Sequence, residues 1–136
     1  KLIGIDINDQ RVKDIPFQVF DGHRVPFSEN SFDSVLINYV LHHSDNPMTL
    51  LNEAKRVVRD KIIIYEDLPE GIISKLFCQI HGFTFKKIFQ NSGGKLNFKT
   101  EDEWEKIFEK LGLNVISKKN IGSFPRKILF VLNTPS

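Results

Sequence analysis

The chain has 136 residues, 40% of them apolar, and a net charge of +2 from 19 basic and 17 acidic side chains. That length and apolar fraction suit one domain with a single core, and the near balance of charge argues against the dense basic surface that binding along a nucleic acid requires. The lone cysteine, Cys78, excludes an internal disulfide and fits a reducing cytoplasmic setting, and no run approaches the ~18 apolar residues of a membrane helix.

Residues 2–7 are apolar on both faces, as in a parallel strand covered by helices on each side. Residues 8–14 are polar and too short for a sturdy helix. A short strand is predicted over 17–20, a loop over 22–31 with Pro26 and Ser28-Glu29-Asn30-Ser31 as turn material, and a third strand over 32–38. Asn46 and Pro47 form a helix start, cap followed by first-turn proline. Leu50, Leu51, Ala54, Val57 and Val58 then recur at helical spacing. The β-branched run 61–65 predicts a fourth strand ending at Glu66-Asp67.

Ile72, Ile73, Leu76, Phe77 and Ile80 mark a second helix, with Cys78 among them as a buried or half-buried thiol. Ser92-Gly93-Gly94 breaks the chain. Thr100 with Glu103 makes a capping box, and Trp104, Ile107, Phe108 and Leu111 give an apolar stripe that Gly112 stops. Residues 113–119 and 127–132 read as two strands joined through Gly122-Ser123-Phe124-Pro125 into an antiparallel hairpin. Alternating strands and helices predict an open α/β sheet, because parallel neighbours need crossover connections.

The stretch from Asp21 to Arg56 carries the strongest pattern. Asp21 closes a strand, Val25-Pro26-Phe27 and Ser31-Phe32-Asp33 lead into the next, and Leu41-His42-His43 and then Glu53-Ala54-Lys55-Arg56-Val57 follow. In this order the motifs resemble the middle of class I S-adenosylmethionine-dependent methyltransferases of the small-molecule type (methyltransferase type 11 domain). The resemblance implies an open Rossmann-like sheet of order 3-2-1-4-5-7-6 with a terminal antiparallel hairpin, S-adenosylmethionine as cofactor, and methyl transfer to a small or undefined acceptor. On that template the strands here are the second to the seventh. The first strand and the glycine-rich turn after it are missing, leaving two inner strands without a neighbour. Lys1 opens inside an apolar strand and the only methionine is Met48, so residues 1–136 read as a single methyltransferase-like domain that is N-terminally incomplete.

In open parallel sheets, ligands bind beyond the carboxyl ends of the strands where strand order reverses. Four strands here end in polar groups: Asp6, Asp21, Asn38-Tyr39 and Glu66-Asp67. A carboxylate after the second strand can accept both hydroxyls of a ribose, and by resemblance Asp6 does so for S-adenosylmethionine; the competing role is a helix cap. The resemblance also assigns Asp21 to the adenine amino group, the N–H of Gly22 or His23 to a ring nitrogen, and Ile7 to the adenine face. An Asx-turn is the structural alternative for Asp21. Asn38 falls where the methionine portion belongs, and Tyr39 either faces the acceptor or packs.

His42-His43 with Asp45 invites a metal or a general base. Neighbouring helical positions diverge by about 100°, so the two rings do not readily share an ion, and a structural or pocket-wall role is preferred over His43 as base. Glu53 and Arg56 are spaced to pair as a modest surface contact. The aromatic residues Phe77, Phe83, Phe85, Phe89 and Phe98 form either core or a lid over an apolar acceptor. The sulfonium already activates the methyl group, so no fixed catalytic triad is expected. The alternative function is a non-catalytic relic or regulatory domain; a nicotinamide-dependent oxidoreductase would use Asp6 but not the Asp21–Arg56 pattern.

Overall fold

The computed structural model describes residues 2–9, 11–88 and 97–134. Two parallel strands, β1 (Gly4–Asp6) and β2 (Phe17–Val19), pair only with each other. The second sheet holds β3 (Phe32–Asn38), β4 (Val58–Leu68), β5 (Asn114–Ser123) and β6 (Arg126–Asn133) in the order β3-β4-β6-β5. β3 and β4 are parallel; β6 runs antiparallel to both β4 and β5. The last strand therefore enters the sheet between β4 and β5, as the terminal hairpin of the resembled template does. Among the described residues, β1 and β3 each keep one edge without a strand partner.

Helix α1 (Pro47–Val57) starts as its sequence dictates: Asn46 Oδ1 accepts the Thr49 N–H at 3.3 Å and Pro47 fills the first helical position, where no N–H is needed. It leads into β4 with no intervening loop. Helix α3 (Glu101–Lys110) has the predicted capping box between Thr100 and Glu103 and closes at Gly112, whose φ of +64° suits a residue without a Cβ. Its buried Trp104 and Phe108 meet β6, with the Phe108 and Phe130 rings edge to face at 5.2 Å.

The core lies on one face of the four-stranded sheet. Alternate residues Ile62, Ile64 and Leu68 of β4 and Ile128, Phe130 and Leu132 of β6 pack with Ile37, Leu51, Ala54, Trp104 and Phe108. Two elements depart from expectation. β4 continues through Glu66-Asp67 to Leu68, because its pairing with β6 persists to Arg126. Helix α2 (Ile72–Ile88) buries Ser74 and Cys78 and leaves Ile72, Ile73, Leu76 and Ile80 more than half exposed, the reverse of a core-facing stripe. Burial raises the Cys78 thiol pKa to about 11, so it is inert at neutral pH. Phe89 and the Ser92-Gly93-Gly94 break lie outside the described residues.

Candidate functional site

The ends of β1 and β2 meet. The Phe20 N–H donates to the Asp6 carbonyl at 3.1 Å, carrying the pairing one step past the strands. Gly22, at φ +80°, then lies so close to Ile7 that an added Cβ would stand 3.2 Å from Ile7 Cγ2. Asp6, Ile7, Asp21 and Gly22 are thus brought together. Among the described residues no helix lies between Asp6 and β2; Asp6 Oδ1 instead accepts the Ile7 N–H at 2.6 Å, so the helix-cap role falls away.

Asp21 makes the turn that was its structural alternative. Its Oδ1 accepts the N–H groups of His23 and Arg24, each at 2.8 Å, and these bonds hold its carboxyl below the usual range, Arg24 more than His23. The His23 N–H is therefore committed to Asp21 and is not presented to a ligand. Asp6 and Asp21 are both exposed.

The loop after Asp21 is tied to α1 more firmly than a surface pair would imply. Arg56 donates to both carboxylate oxygens of Glu53 and to the carbonyls of Phe27 and Val25, and Glu53 accepts the Val25 N–H at 2.9 Å. The spacing of Glu53 and Arg56 predicted their pairing; the two loop carbonyls are distant in sequence and only the fold supplies them.

Beyond the end of β3, Asn38 stands opposite Tyr65 of β4, and Tyr39 follows at φ +55°, a conformation strained for a bulky side chain. The Tyr39 N–H donates to the Tyr65 carbonyl at 2.9 Å, and the two rings lie 6.4 Å apart. Burial first, then the charges of Asp67 and Glu66, push the Tyr39 phenol pKa up. It therefore keeps its proton at neutral pH. Asn38 belongs to the four-stranded sheet, whereas Asp6 and Asp21 belong to the β1–β2 pair.

His42 turns inward from the 3-10 turn Leu41–His43. Its Nδ1 lies 2.5 Å from Glu66 Oε2, and Glu66 Oε1 accepts the Leu41 N–H at 2.9 Å; both side chains are buried. The His42 ring stacks on Phe98 at 4.5 Å and contacts His43 at 4.1 Å. The Asn97 N–H and Nδ2 donate to the carbonyls of His42 and Ser44, fastening residues 97–98 to this turn. His42 is thus buried against Glu66 and Phe98, and His43 is half-buried beside it. Glu66, read as a polar strand end, was the residue missed. Its signal was the alternation Ile62, Ile64, Glu66, Leu68, which puts it on the buried face. Among the described residues no three His, Cys, Asp or Glu side chains cluster to hold a metal, and no helix is long and apolar enough to cross a membrane.

Comparison with known proteins bears on this arrangement from two sides. Residues 1–65 match the family model described as a methyltransferase domain. A demethylmenaquinone methyltransferase of Thermotoga maritima is 28% identical over 129 residues, covering 82% of this chain and 56% of its own length. The chain spans about half the length of the curated relatives it matches. Among solved structures, a chain of the Haloferax volcanii complex between the Trm112 methyltransferase activator and a methyltransferase superimposes with a TM-score of 0.78 at 17% identity, covering 98% of this chain and 71% of that one. An Aquifex aeolicus S-adenosylmethionine-dependent methyltransferase gives 0.71 at 17%, covering 99% and 69%. By sequence over its first 65 residues, and by fold over nearly its whole length, the chain resembles the class I S-adenosylmethionine-dependent methyltransferases.

Proposed function

We propose that the protein binds S-adenosylmethionine across the carboxyl ends of β1, β2 and β3 and transfers its methyl group to a small-molecule acceptor. The observation that carries this reading is the junction of Asp6-Ile7 with Asp21-Gly22, a carboxylate, an apolar face and a close glycine at two adjoining strand ends. These residues fit an adenosine. Asp6 keeps Oδ2 for ribose hydroxyls, Ile7 is 46% exposed and offers its side chain to the base, and Asp21 keeps Oδ2 for an amino group.

Bound there, the donor supplies a methyl group already activated on a sulfonium. The remaining work of the chain is alignment and exclusion of water. Asn38 closes the site on the methionine side, and the Arg56 ties hold the loop that follows Asp21.

Calorimetric titration of the full-length protein with S-adenosylmethionine tests the proposal. Asp6→Ala should weaken binding at least about tenfold, since hydrogen bonds to a charged acceptor contribute on the order of 1.5–3 kcal/mol. Unchanged affinity would place the ribose elsewhere. Absence of binding by the wild-type protein would favour a non-catalytic methyltransferase-like domain.

A further inference from the structure

Tyr39 combines three features that packing alone does not explain. Its positive φ, +55°, is matched among the described non-glycine residues only by that of Asn30, +53°, whose short polar side chain tolerates the left-handed region far better than a phenol ring. Strain of this kind persists where the surroundings over-determine it, and it collects at ligand sites. The second feature is a cation: Lys127 Nζ lies over the Tyr39 ring, 5.6 Å from its centroid. The ring is therefore already a cation seat in this structure. The third is position. Tyr39 directly follows Asn38 at the carboxyl end of β3, on the rim where an open sheet takes its ligand.

The electrostatic surroundings agree. Asp67 stands opposite Lys127 across β4 and β6, and the charges of Asp67 and Glu66 bear on the Tyr39 phenol. Carboxylates near the ring add a coulombic attraction for a cation seated on it.

We propose that the Tyr39 ring seats the sulfonium of the methyl donor, with the Lys127 ammonium holding that seat when no donor is bound; the inference rests on the donor reading above. The device discriminates between donor and product. S-adenosylmethionine is cationic at sulfur, whereas S-adenosylhomocysteine is neutral there, so the ring favours the donor and its hold weakens once the methyl group has left.

The test is paired calorimetry of the full-length protein with each of these two ligands. Tyr39→Leu should cut the preference for S-adenosylmethionine over S-adenosylhomocysteine by about tenfold, whereas Tyr39→Phe should keep it, because the π face and not the hydroxyl makes the contact. Lys127→Met should strengthen S-adenosylmethionine binding and leave S-adenosylhomocysteine binding unchanged, since only the cationic ligand competes with the ammonium. Equal changes for both ligands in Tyr39→Leu or in Lys127→Met would overturn the assignment and make the ring a simple wall. Should Tyr39→Leu fail to fold, the Lys127→Met pair decides alone. A wild-type protein that binds neither ligand would refute the donor reading, and this inference with it.

Discussion

The two sheets are held by different means. In the four-stranded sheet, alternate residues of β4 and β6 are wholly buried against α1 and α3, with Trp104, Phe108 and Phe130 at the centre. In the β1–β2 pair no residue is buried, and Val19 is 54% exposed. Residues proposed to hold the adenosine lie on the thin sheet, and Tyr39, His42 and Glu66 lie on the thick one. Ligand-contacting segments are commonly drawn from the less stable part of a fold, so a donor bridging both sheets would order the first against the second.

The sharpest way to break this contrast is to cut into each sheet. Phe108→Ala removes a fully buried ring stacked near Trp104 and should cost about 3–5 kcal/mol in urea unfolding, whereas Val19→Ala should stay within about 0.5 kcal/mol. Similar losses at both positions would mean that the β1–β2 pair shares the core. Glu66→Ala comes next, at about 3 kcal/mol, because it strips a buried imidazole and the Leu41 N–H of their acceptor. Faster amide exchange at Leu41 would report that local loss, and Glu66→Gln should recover part of it by keeping an acceptor oxygen.

The smallest effect sharpens the boundary between the sheets. The Glu53–Arg56 pair pins the connecting loop to α1, and the Arg56 guanidinium, followed by the Val25 N–H, holds the Glu53 carboxyl below its usual 4.5. A depressed folded value means that this stability is complete above 4.5 and is lost as pH falls through the folded value. Urea midpoints followed from about pH 6 down to about pH 3 should therefore fall less steeply in Arg56→Ala than in the wild type. Parallel pH curves would show that the pair does not hold the loop.

Much of this was legible in the chain itself, and for a common reason. The Asn46-Pro47 helix start, the Thr100–Glu103 box, the Gly112 stop and the final hairpin are local devices, each satisfied by residues a few positions apart. Asp6, Ile7, Asp21 and Gly22 were legible as strand-end residues, but their meeting required the pairing of β1 with β2. Glu66 was misplaced because its neighbours 61–65 read as a complete strand, and only pairing with β6 extends β4 far enough to bury it beside His42. The α2 stripe misled in the other direction: helical spacing of apolar residues fixes that a face exists, while the packing surface available decides which face is buried.

The sequence by itself therefore determined the element types, their order, the turns between them and the resemblance to methyltransferases, since periodicity and capping act within a few residues. Only the tertiary structure decided that Arg56 binds the carbonyls of Val25 and Phe27, that Glu66 receives Leu41 and His42, and that Tyr39 meets Lys127. Each of those contacts joins groups some 24 or more positions apart, so no local pattern encodes them, and they exist because burial of the apolar faces first fixes the strands in register.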